Sequence, residues 1–353
     1  MWRTLKWIGG GLCALTVILI GFVWWASTGR LAPEERAQTH RYEASPTTAL
    51  PDTLRVTTYN IGYLSGMTNN EPVVRAESLF VANMNQAARL LRRADAHVVG
   101  TQEIDFGAAR SFGVQQLDTL ATRLGYAHAA QAVNWDERYL PFPYGRPAVH
   151  FGRVVSGQAV LSRAPIRQHA RHVLQRPPLP LYRDIFYLDR LAQTVLLDFG
   201  GTPLVVINVH LEAFDAETRR RQAREVRQLY ERIADGTALP ILLLGDFNSQ
   251  ATRAEGTLRA DSTMQMLLQH TDLRLAAPPD TTLATYPADR PTRRIDHILY
   301  RDGFFRPART TVACGPAAHP PSDHCAVTAA LVPTDTLRTA PQPSAVTLPA
   351  HSR

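Results

Sequence analysis

The chain has 353 residues, of which 45% are hydrophobic and 20% charged, so it is long enough for one large α/β domain and its composition excludes a wholly disordered chain. The formal net charge of +7 suggests an anionic partner such as a phosphate ester, nucleic acid or an anionic lipid surface. Lys6 is the only lysine, so nearly all of the positive charges are arginines. Such a preference for arginine over lysine is also typical of genome-wide codon composition.

The first predicted element is a membrane-spanning helix. Trp7–Ala26 contains twenty residues without a charge, and at a rise of about 1.5 Å per residue this run crosses a hydrocarbon core of about 30 Å. The run is longer than the apolar region of a secretory signal and lacks a small-residue cleavage site at its end; a buried helix of a soluble protein is the alternative. Basic residues flank the run on both sides, and the short N-terminal flank favours a cytoplasmic N-terminus with the body outside the cytoplasm.

Composition divides the chain into four segments. The segments are 1–29, an anchor; 30–52, a polar linker; 53–333, a globular domain; and 334–353, a disordered tail rich in Thr, Pro and Ser. Cys13 lies in the apolar run, whereas Cys314 and Cys325 lie near each other in the domain. These two either pair, if the domain is extracytoplasmic, or are independent small apolar residues.

Short apolar runs in the domain alternate with helical patterns. The predicted strands are Leu54–Tyr59, His97–Gln102, Gln158–Ser162, Thr194–Phe199, Leu204–His210, Ile241–Gly245, Ile295–Tyr300 and Ala326–Leu331, and the main predicted helices are Glu77–Arg93 and Ala216–Ile233. Several strands are continuous apolar runs, which indicates sheets covered on both faces. The pattern predicts an α/β or α+β fold with two packed layers of sheet. The arginines of the second helix are either a nucleic-acid patch or, more in keeping with its apolar stripe, a solvated outer face.

Polar side chains stand at the edges of six predicted strands. They are Asn60, Glu103, His210, Asp246 with Asn248, Asp296, and Asp323 with His324. A single Asp or Asn after a strand is usually a turn residue or a helix cap. The joint pattern predicts a functional site, because sites in α/β sheets gather at strand ends.

These residue types suit the hydrolysis of a phosphate ester. The carboxylates offer oxygen ligands for a hard cation such as Mg²⁺, the imidazoles titrate near neutral pH, and the amides can donate hydrogen bonds to phosphoryl oxygens. The sequence has no cysteine cluster, H-E-x-x-H, G-x-S-x-G or Walker motif. The residue types therefore fit best a hydrolysis by water, which needs a charge clamp on the phosphoryl group, an oriented water and a proton partner.

The same stretches resemble the endonuclease/exonuclease/phosphatase superfamily, also called deoxyribonuclease I-like. The matching stretches are TYNIG, TQE, GQAVLSRAPI, NVHLEA, GDFN, RIDHIL and SDH, between about Leu54 and Leu331. The resemblance implies a four-layer αββα sandwich with two packed mixed β-sheets flanked by helices. It also implies a metal-dependent hydrolase that acts on phosphoric ester bonds.

The resemblance further implies residue roles. Mg²⁺ or Mn²⁺ would be held mainly by Glu103, with Asn60 and Asp323 near it. Asp246 would orient or activate the attacking water, and Asn248 would hold the scissile phosphoryl group.

The remaining roles concern the histidines and the substrate. Asp296 would pair with His324, which would act as proton partner or as an electrostatic contact in the transition state, and His210 would help on the leaving-group or phosphate side. Gln158, in Gly-Gln-Ala where many lipid-cleaving members have Gly-Asn-Ala, and Arg153 are candidate substrate-binding residues. The aromatic insert that holds Arg153, residues 134–155, either lines a substrate mouth or is an ordinary packed loop.

The leading functional prediction is a membrane-tethered, monomeric phosphodiesterase or phosphomonoesterase that acts on a lipid-linked or extracytoplasmic phosphate ester. An extracytoplasmic nuclease that binds nucleic acid is the first alternative, and its activity would fall steeply with salt. The second alternative is a non-catalytic binding module on the same fold. Retention of the complete polar set argues against that module.

Overall fold

Two β-sheets lie face to face in this protein, with helices on their outer faces. The computed structural model describes residues 2–47, 49–235, 237–254, 257–277, 283–338, 342 and 346–350, with the backbone alone at residues 3, 252–254, 257–260 and 338. The helices are α1 (Trp2–Ser27), α2 (Glu77–Ala94), α3 (Gln116–Leu124), α4 (Leu181–Asp184), α5 (Ala216–Ala234), α6 (Ser262–Leu268) and α7 (Asp335–Arg338). The strands are β1 (Ala37–Arg41), β2 (Leu54–Asn60), β3 (Val98–Asp105), β4 (His128–Leu140), β5 (Gly152–Ser162), β6 (Ile166–Leu174), β7 (Arg190–Phe199), β8 (Thr202–His210), β9 (Ile241–Asp246), β10 (Ala251–Ala254), β11 (Thr257–Ala260), β12 (Leu273–Leu275), β13 (Asp296–Arg301), β14 (Phe305–Ala313) and β15 (Ala326–Pro333).

Both main sheets are mixed. The first sheet has the order β1-β4-β5-β3-β2-β15-β14 and the second has the order β12-β13-β9-β8-β7-β6, while β10 and β11 pair as a separate two-stranded sheet. Within each main sheet one neighbouring pair is parallel, β2 with β3 and β8 with β9. The carboxyl ends of these four central strands lie at the same end of the molecule, so their terminal side chains can meet there.

Apolar side chains fill three layers between the elements. Val56 and Val98 of the first sheet pack with Val206 and Leu242 of the second in the central layer. Helices α2 and α3 bury their apolar faces on the first sheet, and α5 and α6 bury theirs on the second. The order of layers is helix, sheet, sheet, helix, which confirms the expected αββα sandwich.

The sheets are larger than the sequence pattern predicted. Each predicted strand is present, but β5 begins six residues and β7 four residues earlier than predicted, and β3 ends three residues later. Among the described residues, β1, β4, β6, β10, β11, β12 and β14 were not predicted, nor were α3, α4, α6 and α7. Strand β4 shows why, since its second half reads NWDERYL and its polar residues hide the alternation of a half-buried strand. Part of the insert 134–155 is thus strand, in β4 and in β5.

The flanking segments also differ from the expected linker and tail. Segment 30–52 is not a bare tether, because it contains β1, which pairs antiparallel with β4 along the edge of the first sheet. Within the expected disordered tail, Val346 and Leu348 are buried against the core beneath the second sheet. The backbone N of Leu348 also donates a hydrogen bond to Oε1 of Gln168 (2.8 Å).

Helix α1 projects from the domain and its apolar side chains are exposed. Thr4–Ser27 is long and apolar enough to be a membrane span, and a signal sequence near the N-terminus passes the same test. The end of α1 contacts β4: the rings of Phe22 and Tyr139 lie 6.0 Å apart, and the backbone N of Arg30 donates to Oδ2 of Asp136 (2.9 Å).

Cys314 and Cys325 form a disulfide, so the structure supports the first of the two alternatives for these cysteines. The bond closes the loop between β14 and β15, immediately after the SDH stretch. Cys13, on α1, is a free and exposed thiol.

Candidate active site

The sheet ends bring together all eight residues that the sequence predicted for catalysis and metal binding. The first sheet supplies Asn60 at the end of β2, Glu103 near the end of β3, and Asp323 and His324 before β15; the second supplies His210 at the end of β8, Asp246 at the end of β9 with Asn248 beyond it, and Asp296 at the start of β13. Asp296 reaches the site although it begins its strand, because β13 runs antiparallel to β9 and Asp296 pairs with Asp246.

A β-bulge presents the carboxylate of Glu103. The register of β3 against β5 shifts between Gln102 and Ile104, and Glu103 has a left-handed φ of 50°. Its Oε1 accepts a hydrogen bond from Nδ2 of Asn60 (3.2 Å) and its Oε2 accepts one from Nδ2 of Asn69 (2.8 Å). The bulge re-aims this side chain away from the ladder, so both carboxylate oxygens are held in place.

Asn60 links the two sheets at the site. In addition to its bond with Glu103, its Nδ2 donates to Oδ2 of Asp246 in the other sheet (3.0 Å). Its Oδ1 accepts a hydrogen bond from the backbone N of Gly62 (3.0 Å), which fixes the orientation of the amide. One buried side chain thereby positions the key carboxylate of each sheet.

The GDFN stretch folds as a tight turn after β9. A Cβ at Gly245 would lie 2.0 Å from the carbonyl O of Val209 at a φ of +145°, so only glycine permits this approach. The backbone N of Asn248 donates to Oδ1 of Asp246 (2.9 Å), and Nδ2 of Asn248 donates to the carbonyl O of Leu211 (3.0 Å). These bonds hold both polar side chains at the floor of the site.

Asp296 and His324 form a buried ion pair. Nδ1 of His324 lies 2.9 Å from Oδ2 and 3.2 Å from Oδ1 of Asp296, and the ring of Tyr286 lies 4.8 Å away. Burial disfavours the imidazolium, but Asp296 and then Asp246 outweigh it and raise the pKa of His324 well above its usual value. Nε2 of the cationic ring lies 3.7 Å from Oδ2 of Asp246.

His210 has the opposite protonation state. Burial and the neighbouring guanidinium of Arg190 lower the pKa of His210 well below its usual value. Its Nε2 accepts a hydrogen bond from Nη1 of Arg190 (2.7 Å) and lies 3.5 Å from Oδ2 of Asp246. The site therefore contains one cationic and one neutral imidazole beside the same carboxylate.

The carboxylates are crowded in a way that suits a bound cation. Burial raises the pKa of Asp246 to about 7, with a contribution from the charge of Asp296. Burial and the charge of Glu103 raise the pKa of Asp323 to about 6. Carboxylates that repel one another in a partly dry site are stabilised by a hard divalent cation, and the oxygens of Glu103 and Asp323 are a fitting donor set for one. Asn60, also predicted near the metal, turns its NH2 group toward Glu103 and Asp246, while its Oδ1 is bound to the backbone N of Gly62.

A second set of possible ligands lies deeper in the site. Ligand-type atoms of Asp246, Asp296 and His324 lie within 4.8 Å of one another. Nδ1 of His324 is already bound to Asp296 (2.9 Å), and the raised pKa of His324 favours the cationic ring, which cannot ligate a metal. This set is therefore less suited to a cation than the carboxylate oxygens of Glu103 and Asp323.

Sequence reasoning missed Arg190, Glu212 and Asn69. Arg190, at the start of β7, is buried with its Nε 3.5 Å from Oε2 of Glu212, and Glu212 accepts hydrogen bonds from the hydroxyl of Tyr187 (2.7 and 2.9 Å). Glu212 stands in the NVHLEA stretch, two residues after His210, so a charged residue at a buried strand end was the available clue. Asn69 lies in a loop with no such clue.

The site opens into a cavity of about 470 Å³. Its polar floor includes Glu103, His210 and Asp246, and its walls carry Trp135, Phe142, Tyr144, Phe186, Phe214 and Tyr286. The aromatic insert thus contributes to the mouth of the site, as one of its two interpretations predicted.

Neither predicted substrate-binding residue reaches this cavity. Arg153 is not among its lining residues. Gln158 is buried between the sheets, where its Nε2 donates to the carbonyl O of Asn208 (2.6 Å). The alternation of side chains along β5 directs Gln158 into the central layer.

Comparison with known proteins agrees with this architecture. An endonuclease/exonuclease/phosphatase family model matches residues 57–324, whereas no curated protein matches the chain. Among solved structures, an endonuclease/exonuclease/phosphatase from Beutenbergia cavernae is 21% identical with a TM-score of 0.57, covering 80% of this chain and 72% of that one.

Two further structures have functional names. A mannosyl-6-phosphatase from Bacteroides thetaiotaomicron is 19% identical with a TM-score of 0.52, covering 79% of this chain and 99% of that one. The human Nocturnin catalytic domain with bound sulfate is 17% identical with a TM-score of 0.54, covering 86% of this chain and 99% of that one. At these identities the structures share the fold, and the family match over most of the length decides membership: the chain belongs to the endonuclease/exonuclease/phosphatase family.

Proposed function

We propose that this protein is a divalent-metal-dependent phosphoesterase tethered to a membrane by α1, with its site outside the cytoplasm. One observation carries the catalytic proposal. The cluster of Glu103, Asp246 and Asp323 faces the same cavity as a histidine held 2.9 Å from Asp296. A cation site beside an aspartate-supported imidazolium matches the charge needs of phosphoryl transfer to water.

Glu103 and Asp323 would hold the cation, with Asn60 near it. When bound, Mg²⁺ or Mn²⁺ would neutralise charge on a phosphoryl oxygen. Asn69, which donates to Glu103 (2.8 Å), keeps the carboxylate oriented for this role.

The remaining residues act on the water and on the phosphoryl group. Asp246, with a pKa near neutrality, accepts a hydrogen bond from the attacking water and orients it. The imidazolium of His324 stabilises developing negative charge, and Asp296 fixes its tautomer and position. Asn248 donates to a phosphoryl oxygen, and neutral His210 assists on the leaving-group side.

The disulfide supports an extracytoplasmic location. Cys314–Cys325 is a structural disulfide in the catalytic domain, and such bonds persist mainly in oxidising compartments. The long apolar α1 supports a tether that confines the site near a bilayer.

The test is a substrate panel with the full chain in detergent. Bis(p-nitrophenyl) phosphate, p-nitrophenyl phosphate, phospholipids, inositol phosphates and single-stranded DNA are assayed with Mg²⁺, Mn²⁺ or EDTA. We expect metal-dependent release of product from at least one phosphate ester and loss of turnover, by about 10²-fold or more, in Asp246→Asn and His324→Ala.

A folding control accompanies these variants. Their circular dichroism spectra and melting temperatures should stay near those of the unaltered protein, so that lost turnover reflects chemistry. Turnover that survives EDTA, or near-normal rates for both variants, would contradict the proposal. Cleavage confined to DNA would favour the nuclease instead.

A further inference from the structure

Large exposed apolar side chains line the cavity or directly precede Arg183, which lines it. Phe214 and Tyr144, which line it, are 84% and 58% exposed, and Leu181 and Tyr182 of α4 are 75% and 68% exposed. Soluble monomers seldom expose such neighbouring large apolar side chains unless the surface meets a partner or a membrane. We call these four residues the apolar rim.

The rim is adjacent to the end of α1. A second, polar cavity of about 200 Å³ is lined by Ser27 and Gly29, at the end of α1, and by Ile185 and Tyr187, which follow α4. Tyr187 also lines the catalytic cavity. The segment that begins with α4 therefore lies between the end of the membrane helix and the active site.

Contacts of α1 define the depth of this region relative to a bilayer. Trp24 and Trp25, 67% and 44% exposed, stand at the end of the apolar run, where aromatic residues mark the membrane interface. Phe22 lies on the membrane side of these tryptophans, yet its ring is 6.0 Å from that of Tyr139. The next residue after Tyr139, Leu140, lines the catalytic cavity, so this wall of the cavity lies at the level of the interface.

We infer that the apolar rim rests in the bilayer interface and that the substrate is a membrane amphiphile with a phosphate-ester head and an apolar chain. This inference rests on the proposed phosphoesterase function and its membrane helix. The head enters the cavity, whose volume of about 470 Å³ suits a headgroup rather than whole acyl chains. Arg183 and Arg293 line the same cavity and offer cationic partners for the anionic head.

Two substrates with one leaving group test the inference. The full chain, reconstituted in phosphatidylcholine vesicles with Mg²⁺, is assayed with soluble ethyl p-nitrophenyl phosphate and with hexadecyl p-nitrophenyl phosphate inserted in the vesicles. The rim variant is Leu181→Ser with Tyr182→Ser, and Val81→Ser, at a half-exposed position of α2, is the matched control. Neither Leu181 nor Tyr182 lines the cavity.

We expect the unaltered protein and Val81→Ser to prefer the hexadecyl diester by at least about tenfold in kcat/KM, since burying apolar surface supplies differences of that size. The rim variant should lose most of this preference while its rate on the ethyl diester stays within about twofold. Turnover of neither diester by the unaltered protein would contradict the phosphoesterase function itself.

Three outcomes would overturn the inference and leave the phosphoesterase function standing. They are equal use of both diesters by the unaltered protein, an unchanged preference in the rim variant, and a higher kcat/KM for single-stranded DNA than for the hexadecyl diester. If the rim variant lost all activity, the single variant Leu181→Ser, which lies outside the cavity lining, would replace it, with the same loss of preference expected and an unchanged preference overturning the inference.

Discussion

Arg190 occupies a buried position between two groups of the site. Its guanidinium donates to Nε2 of His210 (2.7 Å) and lies beside Glu212, a carboxylate with no exposed surface. Arg190 thus adds to the effect of burial in lowering the pKa of His210, and it compensates the charge of Glu212. Both effects come from one cation that is itself only 4% exposed.

Replacing Arg190 should therefore destabilise the fold. Arg190→Met leaves Glu212 buried without its cation, and we expect the free energy of unfolding to fall by about 3–5 kcal/mol. Arg190→Lys keeps the charge and should lose less. Guanidinium unfolding measures both variants. Arg190→Met combined with Glu212→Gln should recover part of the loss, and a double variant no more stable than Arg190→Met would contradict this explanation.

His97 gives the fold a pH dependence away from the site. Burial and the charges of Arg55 and Arg163 lower the pKa of His97 from 6.5 to about 4, and its Nδ1 accepts a hydrogen bond from the backbone N of Arg55 (3.0 Å). The unfolded chain binds this proton more tightly than the folded chain. Stability should therefore fall as the pH drops from about 6.5 to about 4.

The variant His97→Asn tests this dependence, because an amide oxygen can replace Nδ1 as acceptor but does not titrate. We expect its melting temperature to fall less steeply over this pH range than that of the unaltered protein. Exposed His270→Asn serves as the control and should follow the unaltered protein. Parallel curves for all three proteins would contradict the role of His97.

At the scale of elements, the loop between β14 and β15 carries the SDH stretch of the candidate site and is closed by Cys314–Cys325, eleven residues apart. Closing a loop of this length removes conformational entropy worth about 3 kcal/mol from the unfolded chain. The bond also holds the residue next to His324, so it restrains the imidazole that Asp296 orients.

Replacing both cysteines of this bond by serine should lower the free energy of unfolding by about 2–3 kcal/mol and lower turnover as the loop loosens. Denaturant unfolding under oxidising conditions measures the first effect and a phosphodiester assay the second. Cys13→Ser is the control. Equal stability with and without the bond would show that the reduced loop is held by its other contacts.

The strands that the sequence predicted are apolar runs that end at polar residues. Asp246 and Asn248 end a strand of four large apolar residues, and His210 ends another, so both strand and site are visible in the chain. Arg190 was missed because it begins an apolar strand, where a charge reads as a boundary. Asn69 belongs to a loop, and only its bond to Glu103 distinguishes it from a turn residue.

Tertiary pairing explains the elements that were not predicted. Strand β1 has no continuous apolar face and forms because β4 offers it a partner edge, which a local pattern cannot reveal. Gln158 shows a related limit. It stands where many lipid-cleaving members have Asn and was a candidate substrate-binding residue, but its place on β5 directs the amide between the sheets.

At the scale of the whole molecule, α1 is the element on which the proposed membrane location depends. If it is a membrane span, the intact protein of 39.2 kDa should remain in the membrane after an alkaline carbonate wash. Leu19→Arg should weaken insertion, since a central arginine costs about 2.5–3.5 kcal/mol, whereas Leu19→Ala should not. Recovery of a shortened, soluble protein, measured by intact mass, would identify α1 as a cleaved signal sequence.

Buried amides hold the two sheets together beneath the site. Nε2 of Gln102 in the first sheet donates to Oδ1 of Asn208 in the second (2.6 Å), and Nδ2 of Asn208 donates back to the carbonyl O of Thr101 (3.1 Å). Directional bonds of this kind resist sliding in a way that apolar contacts do not. Mutations that reshape the surrounding loops can then accumulate without moving Glu103 relative to Asp246, so substrate preference is free to diverge while the catalytic spacing is retained.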